Sequence, residues 1–138
     1  MDDKVVALNQ VGRIVVIDDS EFSRKGVCQT LSDAGFQVVG DSETAQGGIE
    51  LVASQKANIV IIDVVMPDYN GIELAKYFKD NFSKINIVMI SSLAHEHVII
   101  EAIAAGASEY LQKPFNKEDL ALIVRKLCEK ISSESRIG

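Results

Sequence analysis

The sequence has little of several features that mark particular classes of protein. It contains 2 cysteines, 2 prolines and no tryptophan in 138 residues, and 6% of the residues are aromatic. No apolar run approaches the roughly 20 residues that a membrane-spanning helix needs, and no signal peptide opens the chain. We therefore expect a cytoplasmic protein that has no membrane partner.

Basic residues and cysteines are also too scattered to define a binding site. The 14 Lys and Arg residues are outnumbered by 20 Asp and Glu residues, for a net charge of −6. Since phosphate neutralisation needs a basic face, nucleic-acid binding is not expected. Cys28 and Cys128 have neither Cys-x-x-Cys nor zinc-type spacing, so reduced and buried thiols are expected.

Strand-like and helix-like patterns alternate along the chain. The run from Ile59 to Asp63 is the clearest strand, because its β-branched residues suit a sheet that is covered on both faces. The predicted strands span 13–17, 36–39, 59–63, 86–90 and 108–111, and the predicted helices span about 21–34, 43–55, 71–80, 96–105 and 116–131. Such alternation with short connections predicts an α/β fold with right-handed crossovers and a parallel sheet.

Local signals predict where the elements begin and end. Phe22, Val27 and Leu31 recur at roughly helical spacing and define the first helix. Helix caps are expected at Ser20, the Gly40-Asp41-Ser42 turn, Asn70 and Asn116, with Gly35 closing the first helix. We expect a leader over residues 1–12 that is ordered only near its end, one domain over 13–131, and a flexible polar tail over 132–138.

Reactive side chains follow four of the predicted strands. Asp18 and Asp19 follow the first strand, Asp63 ends the third, Ser91 follows the fourth and Lys113 follows the fifth. In a parallel sheet these carboxyl ends share one edge, where open α/β sheets place their ligand crevice. The sequence therefore predicts a cluster of carboxylates, a hydroxyl and an ammonium at that edge.

Crowded carboxylates need a compensating charge. At 4 Å and an effective dielectric constant near 20, one like-charge pair costs roughly 4 kcal/mol. Lys113 can offset one charge, and the oxygen ligands suit Mg²⁺ for the remainder. An aspartate oxygen beside such a metal can attack phosphorus to give an aspartyl phosphate, while the metal and Lys113 neutralise the developing charge.

The chain resembles a response-regulator receiver domain from about Arg13 to Lys130. The positions that carry the resemblance are the acidic pair Asp18-Asp19, Asp63 with the Met66-Pro67 and Gly71 turn after it, Ser91, Tyr110 and Lys113-Pro114. The resemblance implies a flavodoxin-like, doubly wound (βα)5 fold with a five-stranded parallel sheet in the order 2-1-3-4-5.

The resemblance also implies a role for each of these positions. Asp63 would be the phosphoacceptor, Lys113 the phosphate-binding lysine before a cis peptide bond, Ser91 the switch hydroxyl and Tyr110 the switch aromatic. Mg²⁺, for which Mn²⁺ can substitute, would be bound by Asp19 directly, by Asp18 mainly through water, and by Asp63 and the Val65 carbonyl. Ser92 beside Ser91 leaves the register of the hydroxyl open by one residue.

The implied function is that of a signalling protein and not of an enzyme. A sensor histidine kinase or phosphotransfer protein would phosphorylate Asp63. The surface of the fourth helix, fifth strand and fifth helix would then change for a downstream protein, such as a flagellar motor switch or a phosphatase. The segment Ser91 to Phe115 is similar to chemotaxis regulators, and a phosphorelay intermediate or the receiver of a longer regulator is the alternative.

Side chains around the cluster refine this expectation. Val65 and Leu93 are apolar where receiver domains often have polar groups that place the hydrolytic water, so slow dephosphorylation is expected. A phosphatase of the haloacid-dehalogenase type is a second hypothesis, but such an enzyme would have a second aspartate at the position of Val65. A Rossmann nucleotide-binding protein is a third hypothesis, but it would have a glycine-rich turn where this chain has Asp18-Asp19-Ser20.

The acidic pair Asp18-Asp19 has a simpler interpretation as well, since two acids at this position could merely cap the first helix.

The fourth predicted helix is unusually apolar. It carries Val98, Ile99, Ile100 and Ile103, and adjacent apolar positions cannot all face the core. We therefore expect an exposed apolar strip that belongs to the output surface. His95 and His97 are expected to be exposed helix residues and not metal ligands, since Mg²⁺ does not favour imidazole.

Overall fold

The computed structural model describes residues 3–93 and 95–137. Its strands are β1 (Arg13–Ile17), β2 (Gln37–Ser42), β3 (Ile59–Asp63), β4 (Asn86–Ser91) and β5 (Glu109–Gln112). Its helices are α1 (Asp3–Asn9), α2 (Glu21–Asp33), α3 (Ala45–Gln55), α4 (Gly71–Asn81), α5 (Glu96–Ala104) and α6 (Lys117–Ile137). The strands form a five-stranded parallel sheet in the order β2-β1-β3-β4-β5, which confirms the expected topology.

The sheet is covered on both faces, as the apolar strands predict. In β3, Val60 and Ile62 pack with buried residues of α3, α4 and α5. Ile59 and Ile61, which alternate with them, pack with buried residues of α2 and α6. Because successive side chains point to opposite faces, β3 is anchored from both sides, and its last residue, Asp63, has a fixed position at the sheet edge.

Three of the predicted caps begin helices. The Ser20 hydroxyl accepts a hydrogen bond from the Ser23 amide (3.2 Å) at the start of α2. The Asn70 carboxamide accepts from the Ile72 amide (2.8 Å) at the start of α4, and Asn116 accepts from an amide in the first turn of α6 (2.8 Å). Each side chain satisfies a helix-terminal N–H that would otherwise lack a partner.

The predicted turn and cap at Gly40-Asp41-Ser42 is wrong. These residues belong to β2, which pairs with β1 as far as the Ile17–Ser42 pair. The cap of α3 is Thr44, whose hydroxyl accepts from the Gly47 amide (3.1 Å). Strand pairing outweighs the local turn preference here, and a register irregularity between Ile14 and Val15 accommodates the extra residue in β2.

The two ends of the chain are more helical than expected. Residues 3–9 of the predicted leader form α1, and α6 continues through the predicted tail to Ile137 instead of ending at Ile131. Asn9 is fully buried and donates to the Ala34 carbonyl (3.1 Å), while Leu8 packs against the core beside α6. This tertiary packing stabilises α1, which is too short for its periodicity to predict a helix. The domain limits 13–131 remain a prediction.

Both cysteines are free thiols, as expected. Cys128 is buried, whereas Cys28 is half-buried. Burial, together with the charge of Asp41, raises the pKa of the Cys28 thiol to about 11, and burial also raises the pKa of Cys128. Both side chains therefore stay protonated at neutral pH and are poor nucleophiles.

Candidate functional site

The three predicted carboxylates converge at the carboxyl edge of the sheet. Residues Ile17 and Ile62 pair across β1 and β3, which places Asp18 next to Asp63. One carboxylate oxygen from each of Asp18, Asp19 and Asp63 lies within 4.8 Å of the other two. Asp18 is fully buried, Asp63 is nearly so, and Asp19 is exposed, so the cluster has one open side toward solvent.

Lys113 binds two of these carboxylates. Its Nζ donates to Asp63 Oδ2 at 2.7 Å and to Asp18 Oδ2 at 3.1 Å. Burial alone would lower the pKa of Lys113, but hydrogen bonds and charges from Asp63 and Asp18 together raise that pKa above its ordinary value. The Lys113 amide also donates to the Ser91 carbonyl (2.8 Å), and the Lys113–Pro114 bond is cis, as expected.

The remaining oxygens of the two buried carboxylates bind their own loops. Asp63 Oδ1 accepts from the Val65 amide at 2.9 Å, and Asp18 Oδ1 accepts from the Ser20 amide at 2.9 Å. Gly71 closes the loop after β3 and donates to the Val64 carbonyl (3.0 Å). A side chain at Gly71 would overlap the Asp63 carbonyl, so this glycine permits the close approach that positions the aspartate.

Ser91 and Tyr110 contact the same residue. The buried Ser91 accepts from the Leu93 amide through Oγ (3.0 Å), and the half-buried Tyr110 donates from its hydroxyl to the Leu93 carbonyl (2.6 Å). Ser91 is the last residue of β4, whereas Ser92 is exposed. This geometry favours Ser91 over Ser92 as the hydroxyl at the site, although its role stays a prediction.

The other predicted side chains lie around this centre. Val65 lies on the loop after β3, and its side chain is 55% exposed. That its main-chain carbonyl binds the metal stays a prediction. His95 and His97 are exposed, with rings stacked 5.6 Å apart. On α5, Ile100 and Ile103 are 58% and 59% exposed, which confirms an apolar strip at the surface.

A groove beside the site was not predicted from the sequence. It has a volume of 690 Å³, lies between α2 and the β5–α6 connection, and is lined by Phe22, Gly26, Pro114, Phe115 and Lys113 among others. Phe22 contributes to the periodicity that defines α2, yet its side chain is 92% exposed. Its spacing of five residues from Val27, instead of three or four, is the signal that places it off the buried face.

The site has a chemical composition that suits a divalent cation. Its donors are carboxylate oxygens, which Mg²⁺ prefers, and Lys113 contacts two of the three carboxylates. One ammonium can offset only one of the three formal negative charges, and exposed Asp19 lies on the side from which a hydrated ion can enter. The residues present therefore fit Mg²⁺ at Asp18, Asp19 and Asp63.

Comparisons with known proteins agree with this geometry. The chain belongs to the response regulator receiver domain family, whose pattern matches residues 14–125. It is 30% identical over 114 residues to the chemotaxis protein CheY of Bacillus subtilis, covering 83% of this chain and 95% of that protein. It is 35% identical over 107 residues to a protein-glutamate methylesterase/protein-glutamine glutaminase of Nocardioides, covering 75% of this chain and 29% of that protein.

The fold is also that of solved receiver domains. A CheY-like response regulator receiver domain protein from Methanospirillum hungatei superposes with a TM-score of 0.83 at 24% identity, covering 89% of this chain and 98% of that one. Most of the chain is therefore a receiver domain with a doubly wound sheet.

Among the helices in the described ranges, none combines the length and apolar character required to cross a bilayer.

Carboxylate repulsion predicts that Asp19→Asn stabilises the metal-free protein. Because Asp19 is exposed and solvent screens its charge, the gain in the free energy of unfolding should be about 0.5–1 kcal/mol, measured by urea denaturation in EDTA. Asp80→Asn on the exposed face of α4 removes the same charge and serves as the control. Equal stability changes in the two variants would contradict the crowding argument.

Proposed function

We propose that this receiver domain takes a phosphoryl group onto Asp63 and passes the signal on through its protein-binding surface. The observation that carries the proposal is the pair of contacts from Lys113 Nζ to Asp63 and Asp18, 2.7 and 3.1 Å long. They place a cation next to a carboxylate that faces two other acids. Such an arrangement suits phosphoryl transfer better than a role in folding, because it buries charge at a sheet edge.

In the proposed step, a carboxylate oxygen of Asp63 attacks phosphorus and the bond from phosphorus to the donor atom breaks. With a phosphohistidine donor, the leaving group is an imidazole nitrogen, which takes up a proton from solvent as needed. Lys113 neutralises charge on the transferring oxygens, and Ser91 donates a hydrogen bond to one of them. Mg²⁺ held by Asp18, Asp19, Asp63 and the Val65 carbonyl, with Mn²⁺ as a substitute, would supply further positive charge.

The signal would reach the surface through the residues that share Leu93. Ser91 Oγ accepts from the Leu93 amide and keeps its own hydrogen to donate toward a phosphoryl oxygen, so a movement of Ser91 toward that oxygen would pull on Leu93, whose carbonyl accepts from Tyr110. A shift of Leu93 would therefore reposition Tyr110 and the exposed strip of α5 that includes Ile100 and Ile103. We infer that phosphorylation biases an existing equilibrium of the α5-β5-α6 surface.

We further propose a cytoplasmic chemotaxis role, with a flagellar motor switch or a phosphatase as the target. The similarity to Bacillus subtilis CheY, which this chain covers almost completely, supports this role. A phosphorelay intermediate, or the receiver of a longer regulator, is the alternative, which the similarity to part of a methylesterase supports. Pull-downs with beryllofluoride-treated and untreated protein would separate these roles by identifying the partner of the activated surface.

Asp63→Asn should abolish phosphorylation by acetyl phosphate in the presence of Mg²⁺, because the amide lacks a nucleophilic oxyanion. The measurement is incorporation of ³²P or a shift on a phosphate-affinity gel. Asp68→Asn, on the exposed part of the same loop, is the matched control and should keep the wild-type level. Labelling of Asp63→Asn at the wild-type rate would disprove the proposed acceptor.

Phosphorylated Asp63 should hydrolyse slowly, because apolar Val65 and Leu93 offer no hydrogen bond to an attacking water. We expect Val65→Asn to shorten the half-life several-fold, measured as loss of label after removal of the donor. Ile103→Asn introduces the same amide at a similarly exposed position of α5 and should leave the half-life unchanged. A wild-type half-life of seconds in Mg²⁺ would rule this expectation out.

The groove beside Lys113 is the proposed docking surface for the histidine-bearing donor protein. Phe22→Ala removes its most exposed apolar side chain and should slow transfer from a phosphohistidine protein by roughly tenfold, as for an interface anchor. Phosphorylation by acetyl phosphate, which needs no docking, should be unchanged. Leu122→Ala on α6, where the side chain is 54% exposed, is the control, and an equal effect of both variants would argue against this surface.

A further inference from the structure

Arg24 joins β2 to the acidic end of β1. It lies in the first turn of α2, five residues after Asp19, and its side chain is 12% exposed. Its Nε donates to Asp41 Oδ2 at 2.7 Å, and its Nη1 donates to the main-chain carbonyl of Asp18 at 2.9 Å. One planar guanidinium therefore holds two acceptors from different strands in a fixed relation.

The carbonyl that Arg24 contacts belongs to the most constrained residue of the site. The Asp18 amide donates to the Ser42 carbonyl (3.1 Å). Its two carboxylate oxygens accept from the Ser20 amide and from Lys113 Nζ. With the bond from Arg24, each polar group of Asp18 has a partner, and Arg24 supplies the one for the peptide that leads directly into Asp19.

Asp41 gives this link a rigid anchor. It pairs with Val16 in the parallel register of β1 and β2, so its position is set by the sheet and not by a loop. The charged hydrogen bond to Asp41 fixes the Arg24 guanidinium relative to the sheet. The second bond of the guanidinium then fixes the carbonyl of the Asp18–Asp19 peptide. Without the link, the turn would still be capped by Ser20, but the Asp18 carbonyl, in the peptide that leads into exposed Asp19, would lose its side-chain partner.

We propose that Arg24 is a positioning residue for the acidic pair: by bridging Asp41 and the Asp18 carbonyl, it orients Asp18 and Asp19 to bind a divalent cation. This inference rests on the proposed function and adds a residue that touches neither the metal nor the phosphoryl group. It acts through the main chain of a ligand, as outer-shell partners of metal ligands do.

The charge of Arg24 and its positioning hydrogen bonds predict opposite effects on Mg²⁺ affinity when the residue is replaced. The positive charge of Arg24, which contacts the Asp18 carbonyl, repels an incoming cation, so loss of the charge alone would strengthen Mg²⁺ binding. Loss of the positioning bond would weaken it. Arg24→Lys keeps the charge but cannot bond both acceptors with one planar group, and Arg24→Gln removes the charge as well.

The experiment measures the Mg²⁺ affinity of the full chain from amide chemical shifts at Asp18, Asp19 and Val65. We expect Arg24→Lys to weaken Mg²⁺ binding on the order of tenfold, and Arg24→Gln to weaken it by less, because loss of the charge partly offsets loss of the positioning bond. Lys25→Gln is the matched control, since it removes the neighbouring charge from a Lys25–Glu21 pair (2.9 Å) whose side chains are 71% and 70% exposed. That variant should stay within about twofold of wild type, as expected for an exposed pair.

Phosphorylation by acetyl phosphate gives a second readout. In Arg24→Lys the Mg²⁺ concentration for half-maximal rate should rise by the same factor, while the rate at saturating Mg²⁺ stays near the wild-type value. A general loss of structure would instead lower the rate at saturating Mg²⁺. If Arg24→Lys failed to fold, Asp41→Glu, which keeps every charge and lengthens only the anchor, would replace it with the same expected results.

Wild-type affinity in Arg24→Lys, or tighter binding in Arg24→Gln, would overturn the positioning role. Failure of the proposed function is distinguishable from this result. In that case the wild-type protein itself would show no Mg²⁺-dependent shifts at Asp18 and Asp19, and no variant would differ from it.

Discussion

The structure of the site depends on one ammonium group between two buried carboxylates. Lys113, directly after β5, contacts Asp63 at the end of β3 and Asp18 directly after β1. Burying two acids at the end of a sheet would be strongly unfavourable without such a partner. The contacts of Lys113 therefore offset part of the cost of burying Asp18 and Asp63 at this edge of the sheet.

The parallel sheet is what allows these groups to meet. Asp18 and Lys113 are 95 residues apart in sequence, and only the shared carboxyl edge brings them together. The apolar strands β1, β3 and β4 hold their positions from both faces, so that the short loops carrying the polar groups have fixed starting points. A rigid scaffold thus supports reactive residues on loops, and the bonds of Asp18, Asp63 and Ser91 to neighbouring amides fix each side chain locally.

Most of the fold follows from patterns that reflect burial. The β-branched run before Asp63 and the caps at Ser20, Asn70 and Asn116 are local features, so the sequence predicts their elements well. The ends of the chain are different, because α1 is stabilised by the buried Asn9 and by contact with α6, which no local pattern contains. The sequence mispredicts the end of β2 for a similar reason, because pairing with β1 outweighs the turn preference of Gly40-Asp41-Ser42.

The site could be predicted to the extent that its residues end strands. The positions of Arg24 and Phe22 could not be predicted, because Arg24 contacts a main-chain carbonyl and Phe22 faces outward, and only the fold defines these arrangements.

The contacts of Leu93 have an implication for variation in this protein. Ser91 and Tyr110 bond to its amide and its carbonyl, and neither uses its side chain. Most replacements at position 93 would therefore preserve this connection, as every residue except proline offers the same two groups. The side chain at position 93, which packs partly buried against the core, can thus vary without removing the two main-chain groups that link Ser91 to Tyr110.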